Sequence, residues 1–598
     1  MYLQNYNPLG NALLSTLAAA VPIATLLYFI AIHPHRDARG VRHHGISAPR
    51  AALCGVIAAF LVALVVMRMP VAAAISSFVQ GVLAGVIGII WIIVGAMLLY
   101  TMTQITGKFE VVKESITHIS FDRRLQVLLI AFSFGAIIEG TSGFGTPVAI
   151  AGAMMVGLGF APFQSAVLNL LANTAPVAWG AIGSPIVGLA QSSGLDQVTL
   201  SAMAGRQLPF ASVLVPFWLV SVFVRMEGGT WGDVLEVWPA TLLAGTVFAL
   251  VQFLASSSPA FHLLTDVMAG LFSVLAVVLF LRVWHPKTRF LLRHERAAAA
   301  AGGVGPGAMA AAEPYRYPYT PSETFQAWLP WAILIACVAV WGLNAGPLNN
   351  LLPARIDTTI LGVHVGGVAS RPVFDMPGAH QLVQRAPPVA PPNAPPESVQ
   401  FAFNWLGAPG TGVAIAAILT GLYLRLRGDQ WAEAVRRTAR RLVIPVLVIG
   451  QVLGLAALTR YAGTDAILGL AFTITGALYP FFAAYLGWLG VFLTGSDTAA
   501  NLLFGSLQRI TAEQLGLNPV LAVATNSTGG VMGKMIDAQS ITVATAACYE
   551  DPVAGLNALG PIFRTVFWHS LAGAGFIGLI ALLQAYVFPG MIPIPPAR

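Results

Sequence analysis

Apolar runs follow one another along the chain at roughly 10–32, 51–67, 82–101, 125–138, 147–160, 163–190 and 208–224. More lie at 238–254, 263–281, 327–344, 405–424, 442–459, 465–485, 486–504, 518–545 and 562–588. About 20 apolar residues span a bilayer as helix. Several of these runs are shorter, or are interrupted by Gly, Pro, Asn and Thr. Such interruptions survive at membrane depth only where protein or a water-filled cavity surrounds them. The pattern predicts an all-α polytopic membrane protein with about 12–14 transmembrane helices, some of them broken or re-entrant.

Composition agrees. Of 598 residues 57% are hydrophobic and only 9% charged, with a mean hydropathy of +0.77, whereas soluble domains carry about 25% charged residues. A chain so poor in charge has lipid as its natural surroundings. The net charge of +7 resides in arginines and lysines between apolar runs, which points to membrane orientation and not to nucleic acid. Residues 1–9 carry no basic residue and the apolar run Gly10–Ile32 is long, so this is a first transmembrane helix and not a secretory signal. Cys54, Cys337 and Cys548 lie in or beside apolar runs without metal-ligand spacing and read as packing residues.

The basic clusters set an orientation. Arg36, Arg39, Arg42 and Arg50 follow the first run; Arg282, Lys287, Arg289, Arg293, Arg296 and Arg316 follow the ninth; Arg425, Arg427, Arg436, Arg437, Arg440 and Arg441 follow the eleventh. All three should be cytoplasmic, with the N-terminus outside. The proline-rich stretch 345–402 should lie outside and be poorly ordered.

A weak internal repeat recurs at an offset of about 354 residues: Gly95 and Gly107 match Gly450 and Gly463, Ser142 matches Ser496, and Asn173-Thr174 matches Asn526-Ser527. By the charge assignment the matched helices run in opposite directions, so the repeats are inverted. The chain then divides into N-terminal transmembrane helices (1–67), a first inverted repeat (68–225) with polar breaks near 139–147 and 173–185, and connecting helices (226–344) that include the loop 282–326. The external loop 345–402 and a second repeat (403–590), with breaks near 494–501 and 526–540, complete it.

The polar breaks carry the candidate chemistry. Glu139 opens Glu-Gly-Thr-Ser-Gly-Phe-Gly-Thr-Pro, and Asp497 sits among Thr494, Ser496, Thr498 and Asn501. A carboxylate at membrane depth is costly unless paired or protonated, so both are candidates for carrying a coupling proton. A helix N-cap is the competing reading for Asp497. Substrate-binding candidates are Thr141, Ser142, Asn173, Thr174, Arg206, Thr494, Ser496, Thr498, Asn526, Thr528 and Lys534. Gly529, Gly530 and Gly533 permit an unwound stretch before Lys534, which pairs with Asp537 or attracts a substrate carboxylate. Thr528 and Met535 stand where a phosphate-binding loop needs Gly and Ser or Thr, so that motif is rejected. Arg206 either binds a carboxylate or reaches for headgroups.

These residues are also where the chain resembles the lactate permease family, the L-lactate and glycolate permeases of bacterial inner membranes. The resemblance runs from Asn5-Tyr-Asn-Pro8 through Glu139–Ile150, Asn173–Ala178 and Gly205–Phe210 to Gly487–Thr498, Thr528–Met535 and Leu583–Val587. It implies proton-coupled symport of L-lactate and related 2-hydroxymonocarboxylates by a multi-pass inner-membrane protein. The proton is then the coupling ion, with no further cofactor, metal or nucleic acid partner. The chain departs from the family pattern at Asp537, at the Ala/Gly stretch 297–312 and in the loop 386–396. Rival readings are a sodium-coupled dicarboxylate carrier, a channel, and a membrane-embedded enzyme. The last needs a paired nucleophile and base, or intramembrane metal-ligand spacing, and the sequence offers neither. Oligomeric state leaves no trace in the sequence.

Overall fold

The computed structural model describes residues 1–29, 33–36, 42–44, 48–143, 145–301, 317–345, 355–360, 363–369, 371–392 and 394–594. Arg39, Arg316 and most of the Ala/Gly stretch 297–312 lie outside the described residues. The fold is helical throughout its hydrophobic part. Among the described residues eight helices are long and apolar enough to cross a bilayer, two further helix pairs are bent at a break, and five shorter apolar helices accompany them. The protein is an all-α polytopic membrane protein.

Two stretches of the chain repeat one order of elements. In the first, helix runs from Val71–Gly85 through a π turn, Val86–Ile90, into Trp91–Ile105. The chain then turns at Gly107, with φ 72°, into the short helix Lys108–Thr117. In the second, one 35-residue helix, Gly428–Ala462, turns at Gly463, with φ 92°, into Thr464–Phe472. Only glycine enters this left-handed region without steric cost, so both turns are written into the sequence. Each half continues with a helical hairpin: Arg123–Ser142 and Thr146–Gly157 in the first, Tyr479–Thr494 and Asp497–Gln514 in the second. A helix started by proline follows, Pro162–Ala172 or Pro519–Gly533; it breaks and resumes as Gly180–Ser193 or Ala538–Cys548.

The two hairpins open toward opposite ends of the molecule. The base of the first lies against 289–295, where Arg123 pairs with Glu295 and Gly159 lies beside His294. The base of the second lies against the N-terminus and 383–397: Gln514 Nε2 donates to Pro388 O at 3.1 Å, and Tyr2 OH to Ala462 O at 2.9 Å. The helix Gly428–Ala462 joins the two ends over a rise of about 50 Å.

The second arms cross over. Gly180–Ser193 packs against Asp497–Gln514, and Ala538–Cys548 packs against Thr146–Gly157. Each hairpin is thus covered by the broken helix of the other half. Residues Arg124 to Ser142 are buried without exception, whereas helices such as Pro321–Ala345 leave most of their surface open for lipid.

The segment 371–402 differs from its expectation as a poorly ordered loop. Val373–Asp375 pairs antiparallel with Gln400–Ala402, and Val383–Gln384 pairs parallel with Tyr2–Leu3. Arg385 Nε lies 2.7 Å from Glu397. Its prolines sit between short strands whose backbone bonds, together with this ion pair, give the segment a fixed path.

Arg124 fastens the base of the first hairpin. Its guanidinium is fully buried and donates to Asp122 at 2.7 Å and 3.0 Å, to Glu236 at 2.9 Å, and to the Asp233 and Thr288 carbonyls at 2.7 Å each. Glu236 also accepts from the Thr288 amide and hydroxyl. Burial alone would raise the Glu236 carboxyl, but the Thr288 hydroxyl and amide and the Arg124 guanidinium outweigh it and hold it below the ordinary glutamate range. A depressed carboxyl stabilises the fold above its unfolded pKa and loses that contribution as pH falls through the folded value. Arg124→Ala is expected to cost about 3–5 kcal/mol at neutral pH, measured by thermal unfolding in detergent. The wild-type advantage over Glu236→Gln should shrink on acidification below the glutamate range.

Candidate functional site

The tips of the two hairpins and the two helix breaks enclose one small central cavity of about 30 Å³. Glu139, Ser184, Gly495, Asp497, Thr498 and Lys534 are among its lining residues. Room for about two waters at this size leaves no space for a larger guest in this conformation. Ser184 and Thr498, one from each half, meet across it at 3.3 Å.

Glu139 is helical, near the end of Gly135–Ser142, and the break follows at Gly143 and Gly145, both with positive φ. Its Oε2 is buried and has no hydrogen-bond partner among the described residues. Asn173 approaches it, yet both Asn173 amide atoms are buried without a completed bond. Thr141 and Ser142 are not among the cavity's lining residues. Their hydroxyls donate backward to Ile137 O and Ile138 O at 2.9 Å and 2.8 Å, so the helix consumes them. Thr174 likewise donates to Leu171 O at 2.8 Å.

Asp497 opens its helix, but Ser496, not Asp497, is the N-cap, accepting from Ala499 N at 3.3 Å. The Asp497 side chain turns inward. Oδ2 accepts from Ser527 Oγ at 2.6 Å and Asn501 Nδ2 at 3.1 Å, while Oδ1 is buried without a partner. Thr494 donates to Gly490 O at 2.7 Å and so braces the tip.

A chain of buried amides extends this site. Asn526 Nδ2 donates to Asn501 Oδ1 at 2.9 Å, Gln508 Nε2 to Asn526 Oδ1 at 3.0 Å, and Tyr479 OH to Gln508 Oε1 at 2.6 Å. It binds both arms of the second hairpin to Pro519–Gly533. Asn501 also reaches across to Pro185 O of the other half at 3.1 Å.

The second break falls at 534–537, in the later part of the stretch 526–540. Asn526 lies within the helix Pro519–Gly533, seven residues after its first proline, where Asn169 stands after Pro162. Asn169, not Asn173, is therefore its counterpart. Gly529 and Gly533 do not unwind the backbone. A side chain on either would run into Ala484 or Trp488 of Tyr479–Thr494, so these glycines buy close helix packing.

Lys534 is paired with Asp537 and also faces the cavity. Its ammonium is buried, donates to Gly495 O at 2.6 Å, lies 3.3 Å from Asp537, and lines the cavity. Asp537 caps the next helix by accepting from Ser540 N at 2.7 Å. Thr528 donates to Gln207 Oε1 at 2.6 Å, and Gln207 in turn donates to Thr525 and Gln584. Arg206 stands in that neighbouring turn and is not among the cavity's lining residues; its Nη1 is buried without a partner.

Three features escaped the sequence. Ala181, Ile182 and Gly183 form a left-handed turn directly after the first break, with φ of 44°, 54° and 67°. A β-branched residue there is strained, and such strain concentrates at functional sites. Ser527 carried no signal beyond being polar. Asp266 did carry one, as a single carboxylate in the apolar run 263–281.

Two larger cavities lie outside the centre and use matching elements of the two halves. One, of about 740 Å³ and near the 289–295 end, is lined by Gln104 and Phe109, at the bend after Trp91–Ile105, and by Ala149 and Ala153 of the hairpin's second arm. The other, of about 150 Å³, is lined by Arg460, Asp465, Leu502 and Ser506 from the corresponding places.

Asn501→Leu is expected to cost about 1–3 kcal/mol in thermal unfolding, because Asp497 and Asn526 lose partners in a dry site. Combined with Asn526→Ala, the two losses should fall short of additivity.

The family model described as L-lactate permease matches residues 15–588 of this chain. The glycolate permease GlcA of Escherichia coli (strain K12) is 41% identical over 98% of this chain and 99% of its own. The L-lactate permease of Bacillus subtilis (strain 168) is 40% identical over 99% of each. The L-lactate permease of Escherichia coli (strain K12) is 38% identical over 99% of this chain and 100% of its own.

Proposed function

The chain belongs to the L-lactate permease family, and from that premise we propose that it carries L-lactate, glycolate and D-lactate inward together with a proton. The observation that carries this reading is the charge of the central cavity. Two buried carboxyls, Glu139 and Asp497, face it, and its one lining ammonium, Lys534, is already paired with Asp537. With both carboxyls ionised, an incoming carboxylate would add a third uncompensated negative charge to a dry site. At an effective dielectric of about 20, like charges 4 Å apart repel by about 4 kcal/mol. Anion binding therefore favours protonation of the cavity, and by reciprocity protonation favours anion binding. That linkage is the thermodynamic core of symport.

The substrate carboxylate would be met by Lys534 and by the amides at the start of Asp497–Gln514, where the helix dipole is positive. Ser184 and Thr498 would read the 2-hydroxyl once the halves part. The two outer cavities would serve as alternating vestibules, the one of about 740 Å³ being the larger in this conformation. The basic segments at that end would face the cytoplasm, and the N-terminus would then lie on the outer side of a bacterial inner membrane.

Uptake of labelled L-lactate into proteoliposomes, with and without an inward proton gradient, tests the reading. Accumulation should require the gradient and be competed by glycolate. Glu139→Gln and Asp497→Asn should each lower gradient-driven accumulation about tenfold or more. Uptake that ignores the gradient and follows sodium would overturn the proton assignment.

A further inference from the structure

The carboxyl of Asp266 is fully buried, and among the described residues neither of its oxygens has a hydrogen-bond partner. It stands second in the helix Thr265–Phe280, in the first turn, and among the described residues it accepts no bond from that helix's free amides. Among the described residues it makes no ion pair. Its polar surroundings are the Trp179 backbone amide, at the first helix break, and the carboxyl of Glu139.

Packing fixes this juxtaposition. A side chain on Gly140, the residue after Glu139, would come within 3.0 Å of the Asp266 Cβ and 2.8 Å of the Val267 amide, so the two helices touch at that glycine. The other elements packed on Thr265–Phe280 are Leu128–Phe134, Val177–Trp179 and Trp238–Ser256, and none carries an ionisable residue. The nearest titratable group in sequence, His262, is engaged with Pro259 O at 2.9 Å and Gln197 at 2.9 Å. A carboxyl so placed is costly to ionise, by several kcal/mol when it has no partner. A structural role would be served better by an apolar residue of the same size.

We infer that Asp266 is a further proton-carrying carboxyl beside the transport site, handing its proton to Glu139. Trp238–Ser256 starts beside the Arg124–Glu236 cluster and rises away from it, so the turn 257–264 lies toward the opposite end, with Asp266 at the level of Gly140. In the transfer the O–H bond at Asp266 breaks and one forms at ionised Glu139, directly or across one water. A proton from water on the outer side then restores Asp266, and no other reactant is needed. Glu139 thereby exchanges protons without itself facing the outer vestibule.

The inference rests on the proton-coupled reading, and one experiment separates them. Asp266→Asn is reconstituted beside the wild type. Gradient-driven accumulation of labelled L-lactate and lactate–lactate exchange at equal pH are then measured. Asp266→Asn should lose about tenfold or more of accumulation and keep exchange within about twofold, with partial recovery in Asp266→Glu. Asp266→Ser gives the same reading where Asp266→Asn cannot be purified. Wild-type accumulation that ignores the gradient overturns both ideas. A coupled wild type with unchanged accumulation in Asp266→Asn overturns this one alone, as does exchange falling in step with accumulation.

Discussion

A bilayer tolerates no unsatisfied backbone, and that constraint shapes the centre of this protein. Two helix breaks and two hairpin tips leave amides and carbonyls without helical partners at membrane depth. The fold encloses them by crossing its halves, the second arm of each broken helix lying on the hairpin of the other half. The first hairpin consequently has no lipid-facing surface along Arg124–Ser142. Gly107 and Gly463 set the equivalent turns that feed the two hairpins, and the proline-started helices that follow leave them in register.

The same enclosure gives the site its electrostatics. Once lipid and bulk water are excluded, Asp497 must be held by Ser527 and Asn501, and Lys534 by Asp537 and the Gly495 carbonyl. Among the described residues, the buried carboxyl oxygens left without a hydrogen-bond partner are informative: they include one of Glu139, one of Asp497, one of Asp537 and both of Asp266. Under the proposed proton coupling, an arriving anion would favour protonation of these carboxyls, and binding at the centre and proton uptake would be two expressions of one charge balance.

Much of this was legible in the sequence, for physical reasons. Glu139 and Asp497 stand out because a lone carboxylate in an apolar run is expensive wherever it occurs. Gly107 and Gly463 show the repeat because a left-handed turn restricts the residue choice. Gly529 and Gly533 misled because glycine serves unwinding and close packing equally well, and only the neighbouring helix decides. Asn526 then seemed to mark a break, though it is a buried link in an amide chain. Hydroxyls such as Thr141 and Ser142 cannot reveal from sequence that their own helix will absorb them. The turn at Ala181 and Ile182 is invisible because neither residue prefers a left-handed backbone; the surrounding packing imposes it. The order of 371–402 arises from strand pairing across the segment and with the distant N-terminus, beyond the reach of any local composition rule.

The central claim is that two equivalent hairpins enter from opposite faces to share one site. It is tested most directly by cysteine accessibility in sealed vesicles of known orientation. With Cys54, Cys337 and Cys548 replaced, Ala161→Cys marks the base of the first hairpin and Gln514→Cys the base of the second; both positions are exposed. A membrane-impermeant maleimide should label residue 161 from one face only and residue 514 only from the other. Labelling of both from the same face would contradict the account.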